Sequence, residues 1–270
     1  MAETFVLYNP HAGGDGRADA ELLQLALPEP VQLYDITRIT NYAAFLGSMQ
    51  PEDTLILAGG DGTLHRFVND TAGLVIRPRI QYFPTGAGNN FARDHRALRL
   101  DPPLPITQAL QALPTAEIDG RRRRFLTGVG LGPCPSDRHA LGDFLHFRPR
   151  YARVTVDAQV FSYCNVRLAI AMHGRYFGAL IPVPDRQEGT VSLMVLHDAG
   201  PLRSLLALPG LRKGRGATPF VSIHHGRQIT VEFDRPTGLQ IDGETIPNIT
   251  AYTVRAFCAG AQQRRREHGT

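Results

Sequence analysis

Short apolar runs alternate with segments of helical spacing in the first part of the chain. The apolar runs predict strands at 4–8, 31–36, 54–58 and 79–83. Apolar residues three and four positions apart predict helices at 17–27, 42–49, 63–72 and 104–113. Strands that alternate with helices are typical of an open parallel sheet with helices on its faces, so we predict an α/β domain here.

The pattern changes near residue 115, just after Pro114. Beyond this point apolar and polar positions alternate, which predicts strands around Val154 and Val156 and at 165–172, 190–196, 228–233 and 250–258, with one helix at 201–208. Short strands divided by Pro and Gly favour an all-β sandwich. We therefore predict an open parallel α/β domain over residues 1–115, a β-sandwich domain over 116–260 and a basic tail over 261–270.

The composition is that of an ordinary globular protein, with 43% hydrophobic and 20% charged residues. No apolar run reaches the about 18 residues that span a bilayer, and the first residues lack the pattern of a signal peptide, so we expect a cytoplasmic protein. Lys213 is the single lysine, which excludes the P-loop motif. The three cysteines form no CxxC pair and indicate neither a zinc site nor a disulfide framework: Cys134, Cys164 and Cys258.

The charge is mildly basic, with a formal net charge of +4 and a pI near 9.2. This excess permits attraction to phosphate groups or to an anionic membrane surface without requiring either. Arginine runs stand at 121–124 and 264–266. Each run can be a solvated turn or tail, and the run at 121–124 can also assist contact with a membrane. We expect no nucleic-acid partner.

Glycine-rich loops follow three of the predicted strands, at 9–16, 59–63 and 84–90. In an open parallel sheet, ligands bind at the carboxyl ends of the strands. The middle loop joins a buried strand to a helix, whose first N–H groups can bind an anion. Asp61 in its centre repels a bare phosphate, but it can act through Mg²⁺ or as a base beside a hydroxyl. Taken alone, the middle loop can also be a tight turn with an Asp-Gly bend, and the loop at 84–90 can be a glycine turn with an Asn cap for the next helix.

Histidines give weaker signals. His65 lies just after the middle loop and can contact a ligand, whereas we expect His11 to face solvent. For the pair His224 and His225, at the end of a predicted strand, we expect a solvated turn rather than a metal site.

Five motifs occur one after another along nearly the whole chain. They are NPHAGGDGRA at 9–18, GGDGT at 59–63, PTGAGNNFAR at 84–93, HGRYFG at 173–178 and DGE at 242–244. Over residues 3–258 they resemble the diacylglycerol kinase catalytic-domain family, which includes sphingosine kinases and bacterial lipid kinases and is distantly similar to NAD kinases. GGDGT is shared with NAD kinases, whereas its combination with the other motifs is specific to the lipid kinases.

The resemblance implies an ATP-dependent lipid kinase of lipid metabolism, which phosphorylates a hydroxyl of diacylglycerol or a related lipid alcohol. It implies that ATP and Mg²⁺ bind in the cleft between the two domains. By position, Asp61 matches the essential aspartate of GGDGT, and Glu244 matches the proton acceptor of bacterial members. Asp61 and Asp185 are the implied Mg²⁺ ligands. The implied ATP-binding residues are Asn9, Gly13, Gly14, Arg17, Thr37, Gly59, Gly60, Gly62, Thr63, His65, Gly86 and Asn89.

Three loop positions depart from the family pattern. Ala87 replaces a threonine, Asn90 replaces an aspartate and Arg66 replaces a glutamate. The family segment that holds a structural Mg²⁺ in some members is shortened here to 184–189. Because an amide cannot supply the negative charge that a metal uses, these changes weaken the expectation of ordinary kinase activity.

Alternatives therefore stay open. The chain can be a nucleotide-binding protein that has lost phosphoryl transfer and acts as a sensor or partner. It can also be a kinase for a soluble acceptor, although the motifs at 173–178 and 242–244 disfavour this. The 242–244 motif has a purely structural interpretation as well, because Asp-Gly is a favoured pair in two-residue hairpin turns.

Overall fold

Two compact units make up the protein, Met1–Gln111 and Ala112–Thr270. The computed structural model describes residues 2–132, 147–177, 181–183, 187, 189–198, 200 and 219–257. Among these residues, no helix combines the length and the apolar character that crossing a membrane requires.

A five-stranded sheet forms the centre of the first unit. Its strands are β1 Thr4–Tyr8, β2 Val31–Asp35, β3 Thr54–Gly59, β4 Arg79–Pro84 and β5 Leu104–Pro105. Their order is β2-β1-β3-β4-β5, in which the first four strands are parallel and β5 is antiparallel to β4. The helices are α1 Gly16–Ala26, α2 Tyr42–Gly47, α3 Asp61–Asp70, α4 Asn90–Asp94 and α5 Thr107–Gln111.

The central strands are buried because helices cover the sheet. On one face, Ala20 and Leu23 of α1 pack with Val6 of β1 and Ile56 of β3 in one cluster. Strands covered in this way are expected to be continuously hydrophobic, as β3 is. The predicted parallel α/β domain is confirmed.

The predicted helix at 104–113 is wrong in its first three residues and ends at Gln111. Leu104 and Pro105 form the short edge strand β5, and the helix begins only at Thr107. Proline disfavours helical backbone at the residue before it, which keeps Leu104 extended. The Thr107 hydroxyl also accepts the backbone N–H of Ile80 at 2.8 Å and so fixes the start of α5 against β4.

The second unit is built from antiparallel strands, which confirms the predicted β domain. Its strands are β6 Thr115–Ile118, β7 Arg121–Arg124, β8 Gly128–Leu131, β9 Arg150–Val156, β10 Gln159–Val166, β11 Leu168–Met172, β12 Tyr176–Phe177, β13 Ile181–Pro182, β14 Val191–Leu196, β15 Val221–Gly226, β16 Gln228–Ile241 and β17 Glu244–Arg255. The main sheet has the order β15-β14-β11-β8-β16-β17-β6-β7, with β9 paired to β16 and β10 paired to β9. Strands β12 and β13 form a separate ribbon.

A large apolar cluster lies among most strands of the second unit, and a smaller one lies on β11, β14 and β15. The larger cluster draws buried side chains from most strands of the sheet, including Val129, Val154, Ala169, Leu193 and Val231. The strands predicted at 228–233 and 250–258 are the outer parts of the long hairpin β16–β17, and β17 also pairs with β6.

The prediction at 165–172 merged two strands, because β10 ends at Val166 and β11 begins at Leu168. Asn165 has a φ of 52°, and the β9–β10 register shifts beside it. The predicted helix at 201–208, Cys134, Cys258, Lys213 and the run at 264–266 lie outside the described residues.

Candidate active site

Three glycine-rich loops leave the carboxyl ends of β1, β3 and β4, which are neighbours in the sheet. Asn9 in the first loop donates from Nδ2 to Oγ1 of Thr63, the last residue of the second loop, at 2.8 Å. The backbone N–H of Thr85 in the third loop donates to the carbonyl of Gly59 in the second, at 2.9 Å. The loops that the sequence singled out are thus in direct contact at one edge of the sheet.

Several of the glycines are required by these contacts. A Cβ on Gly86 would lie 2.5 Å from the Cα of Gly60, and a Cβ on Gly59 would lie 2.6 Å from the Thr63 side chain. Gly13 has a φ of +70°, and its Cβ would lie 2.1 Å from the carbonyl oxygen of Thr85. These positions need glycine for the loops to approach each other.

Two other glycines face open space. A Cβ on Gly14 or on Gly62 would meet no atom within 4 Å among the described residues. Gly62 lies in the first turn of α3, and its exposed backbone is therefore open to a ligand. The packing of the described chain does not account for glycine at this position.

The helices that follow the three loops differ at their N-termini. Asp15 caps α1 by accepting the N–H of Ala18 at 3.0 Å. Helix α4 is capped from another loop by Asp61. Helix α3 has Gly60 at its cap position, which brings no side-chain acceptor. A helix N-terminus of this kind has N–H donors and a positive dipole end, which suit an anion.

Asp61 is the first residue of α3, yet its carboxylate binds α4. Oδ2 accepts the backbone N–H of Asn90 at 2.7 Å, and Oδ1 accepts that of Phe91 at 3.0 Å. Tyr82 lies nearby and donates its hydroxyl to the Gly59 carbonyl at 3.1 Å. Burial, and then the charge of Asp61, raise the pKa of Tyr82 well above its ordinary value, so this phenol stays neutral.

The third loop carries two buried polar atoms that no described residue satisfies. They are Oγ1 of Thr85, whose residue is fully buried, and Oδ1 of Asn90. The adjacent Asn89 is in the left-handed region, with a φ of 47°, and its Nδ2 donates to the Gly86 carbonyl at 2.6 Å. Buried polar atoms without partners are uncommon in folded proteins, and Asn90 is also the residue whose backbone N–H binds Asp61.

Other predicted ATP-binding residues lie at the same edge with different surroundings. Arg17 on α1 is 70% exposed and pairs with Glu21, one turn further along the helix, at 2.8 Å. Thr37 follows β2 in a 3₁₀ turn and donates both its N–H and its hydroxyl to Asp35. His65 is buried in α3, where its carbonyl accepts Nδ2 of Asn69 at 3.0 Å.

Two residues of this region were not predicted from the sequence. Arg99, after α4, donates from Nε to the Thr85 carbonyl at 3.0 Å and from Nη2 to Asp19 of α1 at 2.8 Å. Neither residue belongs to a motif, and no sequence signal links positions 80 residues apart. The predicted metal ligand Asp185 lies outside the described residues, as does Gly178 of the 173–178 motif.

The 242–244 motif lies in the second unit and forms a two-residue hairpin turn. Asp242 and Gly243 have φ values of 47° and 93°, and Ile241 pairs with Glu244 across the turn. The Asp242 carboxylate accepts the backbone N–H groups of Leu126, Thr127 and Gly128 and the Thr127 hydroxyl, at 2.6 to 3.1 Å. The structural interpretation of this motif is therefore correct for its first two residues.

Glu244 follows the turn and is exposed. Its Oε2 lies 3.2 Å from Nη1 of Arg123 on β7. The carboxylate is thus accessible to an acceptor molecule and has a guanidinium beside it. Arg123 belongs to the arginine run at 121–124, which proves to be a strand rather than a turn or tail.

The prediction of a solvated turn at His224 and His225 is wrong. Both residues lie within β15 and are partly buried. The His224 ring contacts the Phe161 ring in a tilted arrangement, and its Nε2 shares a hydrogen bond with the Tyr163 hydroxyl, because β10 covers this face of β15. No group of three or more metal-binding side chains occurs within the described part of the chain.

Comparisons with known proteins agree with this architecture. The diacylglycerol kinase catalytic domain matches residues 3–119, and the YegS C-terminal NAD kinase beta sandwich-like domain matches residues 137–257. The diacylglycerol kinase of Bacillus subtilis (strain 168) is 30% identical over 105 residues, which are 34% of this chain and 33% of that protein. The match therefore spans about a third of the length of this curated relative.

Solved structures show the same fold. A proposed diacylglycerol kinase from Bacillus anthracis str. Sterne has a TM-score of 0.67 at 20% identity and covers 94% of both chains. A second crystal structure of a diacylglycerol kinase from that organism has a TM-score of 0.63 at 18% identity, with the same coverage. The chain therefore contains a region that matches the diacylglycerol kinase catalytic domain, followed by a region that matches the YegS C-terminal NAD kinase beta sandwich-like domain.

Proposed function

We propose that the protein is an ATP-dependent lipid kinase that phosphorylates a hydroxyl of diacylglycerol or a related lipid alcohol. The observation that carries the proposal is the contact of three glycine-rich loops around the N-terminus of α3. Asn9, Gly59 and Thr85 make these contacts, and Gly62 leaves backbone accessible beside them. Backbone N–H groups and a helix dipole bind phosphate without a P-loop lysine.

The residues present fit a Mg²⁺ ion that arrives with the nucleotide. Mg²⁺ in kinase sites is held by one or two protein oxygens together with phosphates and water. Asp61 offers a carboxylate, and Asn90 offers a buried amide oxygen that lacks a partner among the described residues. When bound, the ion neutralises charge on the transferred phosphoryl group.

Glu244 is the proposed base. The acceptor hydroxyl oxygen forms a bond to the γ-phosphorus, its proton passes to the Glu244 carboxylate, and the bond to ADP breaks. Arg123 lies beside this carboxylate, with Nη1 3.2 Å from Oε2. The assignment of Glu244 comes from its position in the family motif, and its exposure is compatible with an acceptor that approaches from outside.

The edge strand β7 supports contact with an anionic membrane surface. It carries Arg121–Arg124 at the end of the sheet order, and its first two arginines are exposed. Glu117 and Glu244 offset part of this charge through Arg122 and Arg123. Attraction of such a strand to anionic headgroups weakens with salt. Flotation with vesicles of phosphatidylcholine, with and without phosphatidylserine, tests whether the protein binds an anionic surface.

A second candidate function is nucleotide binding without phosphoryl transfer. It is favoured by Asp61, whose carboxylate is occupied by two backbone N–H groups of α4, and by the amide at Asn90. A protein that binds Mg-ATP but phosphorylates nothing would act as a sensor or partner. A soluble acceptor remains the third alternative.

The deciding experiment is incubation of the protein with Mg-ATP and a total lipid extract, followed by mass spectrometry for species that gain one phosphate. We expect a phosphorylated lipid with the wild type and its loss with Glu244→Gln. Glu232→Gln is the matched control, because Glu232 is a similarly exposed strand glutamate near an arginine, Arg153. ATP binding without any phosphorylated lipid would refute the first proposal and favour the second, whereas product formed without lipid would indicate a soluble acceptor.

A further inference from the structure

Arg99 links three parts of the first unit that the sequence leaves far apart. Its Nη2 lies 2.8 Å from Oδ2 of Asp19 on α1, and its Nε lies 3.0 Å from the carbonyl oxygen of Thr85. The Asp19 side chain is only 10% exposed, so the pair is partly shielded from water. The guanidinium therefore ties the helix after the first loop to the start of the third loop.

Thr85 is the point where the three loops meet. Its N–H donates to the Gly59 carbonyl of the second loop, and its own carbonyl accepts Arg99. A Cβ on Gly13 of the first loop would lie 2.1 Å from this carbonyl oxygen and 3.4 Å from Nη2 of Arg99. Arg99 thus binds at the contact between the first and third loops, and its position sets their separation.

Arginine suits this place better than lysine. Its planar guanidinium presents N–H donors in a fixed geometry, so one side chain can hold a carboxylate and a carbonyl in different directions. A lysine ammonium is a compact charge on a flexible stem and fixes neither direction as well. Arg17, the arginine that the first loop suggested, instead pairs with Glu21 on its own helix and is 70% exposed.

We propose that Arg99 is a positioning residue of the nucleotide site. It holds the first and third loops at the spacing that lets their backbone N–H groups meet one chain of phosphates. This inference rests on the proposed function, since it concerns the alignment of the same loops. Displacement of binding groups by about 1 Å can reduce activity up to about a hundredfold, so a residue that sets loop spacing has a measurable effect on affinity.

Calorimetric titration with Mg-ATP tests the proposal, on the full chain and well below its melting temperature. We expect Arg99→Gln to weaken binding by about tenfold or more. Arg99→Lys should restore only part of the affinity, and Asp19→Asn should weaken it in the same direction. Arg79→Gln is the matched control, because Arg79 is exposed at the amino end of β4 and the loops leave the carboxyl ends of the strands. We expect its affinity to stay within about twofold of the wild type.

Hydrogen exchange on the free protein provides a second readout that needs no nucleotide. We expect Arg99→Gln to speed exchange of the N–H groups in both loops, 10–16 and 85–90, whereas Arg79→Gln leaves them unchanged. An Arg99→Gln protein with a lower melting temperature but wild-type affinity would overturn the proposal, since Arg99 would then only stabilise the fold. A wild type that binds no Mg-ATP refutes the proposed function, and the exchange comparison then decides the role of Arg99 alone.

Discussion

The carboxylate of Asp61 accepts the backbone N–H of Asn90 at 2.7 Å, so the acidic residue of the second loop caps the helix that follows the third. Its other oxygen accepts the next N–H, that of Phe91, at 3.0 Å. Asn89, the residue at the cap position of α4, makes no capping bond with its own side chain. Asp61 therefore has a structural role that is independent of any catalytic one.

Replacement of Asp61 should lower stability even if the protein proves to be no enzyme. We expect Asp61→Ala to reduce the free energy of unfolding of the first unit by about 1–2 kcal/mol, because two N–H groups of α4 lose their acceptor. Asp61→Asn keeps one acceptor oxygen and should reduce the free energy of unfolding by a smaller amount. Denaturant unfolding followed by circular dichroism measures both. Loss of lipid phosphorylation in Asp61→Ala alone would thus be ambiguous, whereas loss in a folded Asp61→Asn protein would point to chemistry.

Substitutions at two glycines of the loops should distinguish an effect on packing from an effect on ligand binding. Gly62→Ala places a methyl group in open space within a helix, so we expect unchanged stability or a gain of about 0.4–1 kcal/mol. Affinity for Mg-ATP should nevertheless fall, because the methyl group projects where the proposed phosphates approach. Gly86→Ala meets Gly60 Cα at 2.5 Å and should destabilise the fold by about 1–3 kcal/mol. Unchanged nucleotide affinity in Gly62→Ala would show that the ligand binds elsewhere.

The hairpin turns at Asp242 and Asp119 offer a matched pair of substitutions. Both aspartates have positive φ, 47° and 48°, and each precedes a glycine between paired strands. Only Asp242 holds the 126–128 segment with its carboxylate. We expect Asp242→Ala to cost about 1–3 kcal/mol more than Asp119→Ala in the free energy of unfolding, since the backbone strain is common to both. Equal losses would mean that the carboxylate bonds contribute nothing measurable.

Stability should depend on pH through His224. Burial, followed by the nearby His225 and His197, lowers the pKa of His224 below 6.5, its ordinary value. The folded state then binds fewer protons than the unfolded state as the pH falls below about 6.5, so stability decreases with falling pH until the folded pKa is passed. Unfolding measured at pH 7.5 and 5.5 should show this loss. His224→Gln should reduce it, whereas His11→Gln, at an exposed position, should leave it unchanged.

Local patterns predicted much of the fold and the general place of the site. Apolar runs located β1, β3 and β4 almost to the residue, because these strands are buried along their length. The glycine loops were predicted to lie at one edge of the sheet, because each follows the carboxyl end of a parallel strand. The helix prediction fails at Leu104 because the restriction that Pro105 imposes on the residue before it outweighs the helical spacing of the apolar residues.

Tertiary contacts account for what the sequence could not predict. Asp61 meets Asn90, and Arg99 meets Asp19, through folding of the sheet and not through any local motif. The burial of His224 depends on the rings of β10, which reach it from a different part of the sheet. From the sequence alone, polar residues of this kind are predicted to be exposed, because the strand that covers them cannot be identified.

The strand order of the second unit has a consequence for folding during synthesis. Ile118 of β6 pairs with Tyr252 of β17, about 130 positions later, so this sheet cannot be completed until β17 has left the ribosome. At about 5–20 residues per second, translation of that stretch takes roughly 7–27 s. The strands of the first unit, by contrast, all lie within Met1–Gln111 and can assemble earlier. Throughout this interval β6 can pair with the arginine strand β7 but lacks β17, and the charge of β7 opposes edge-to-edge association with other nascent chains.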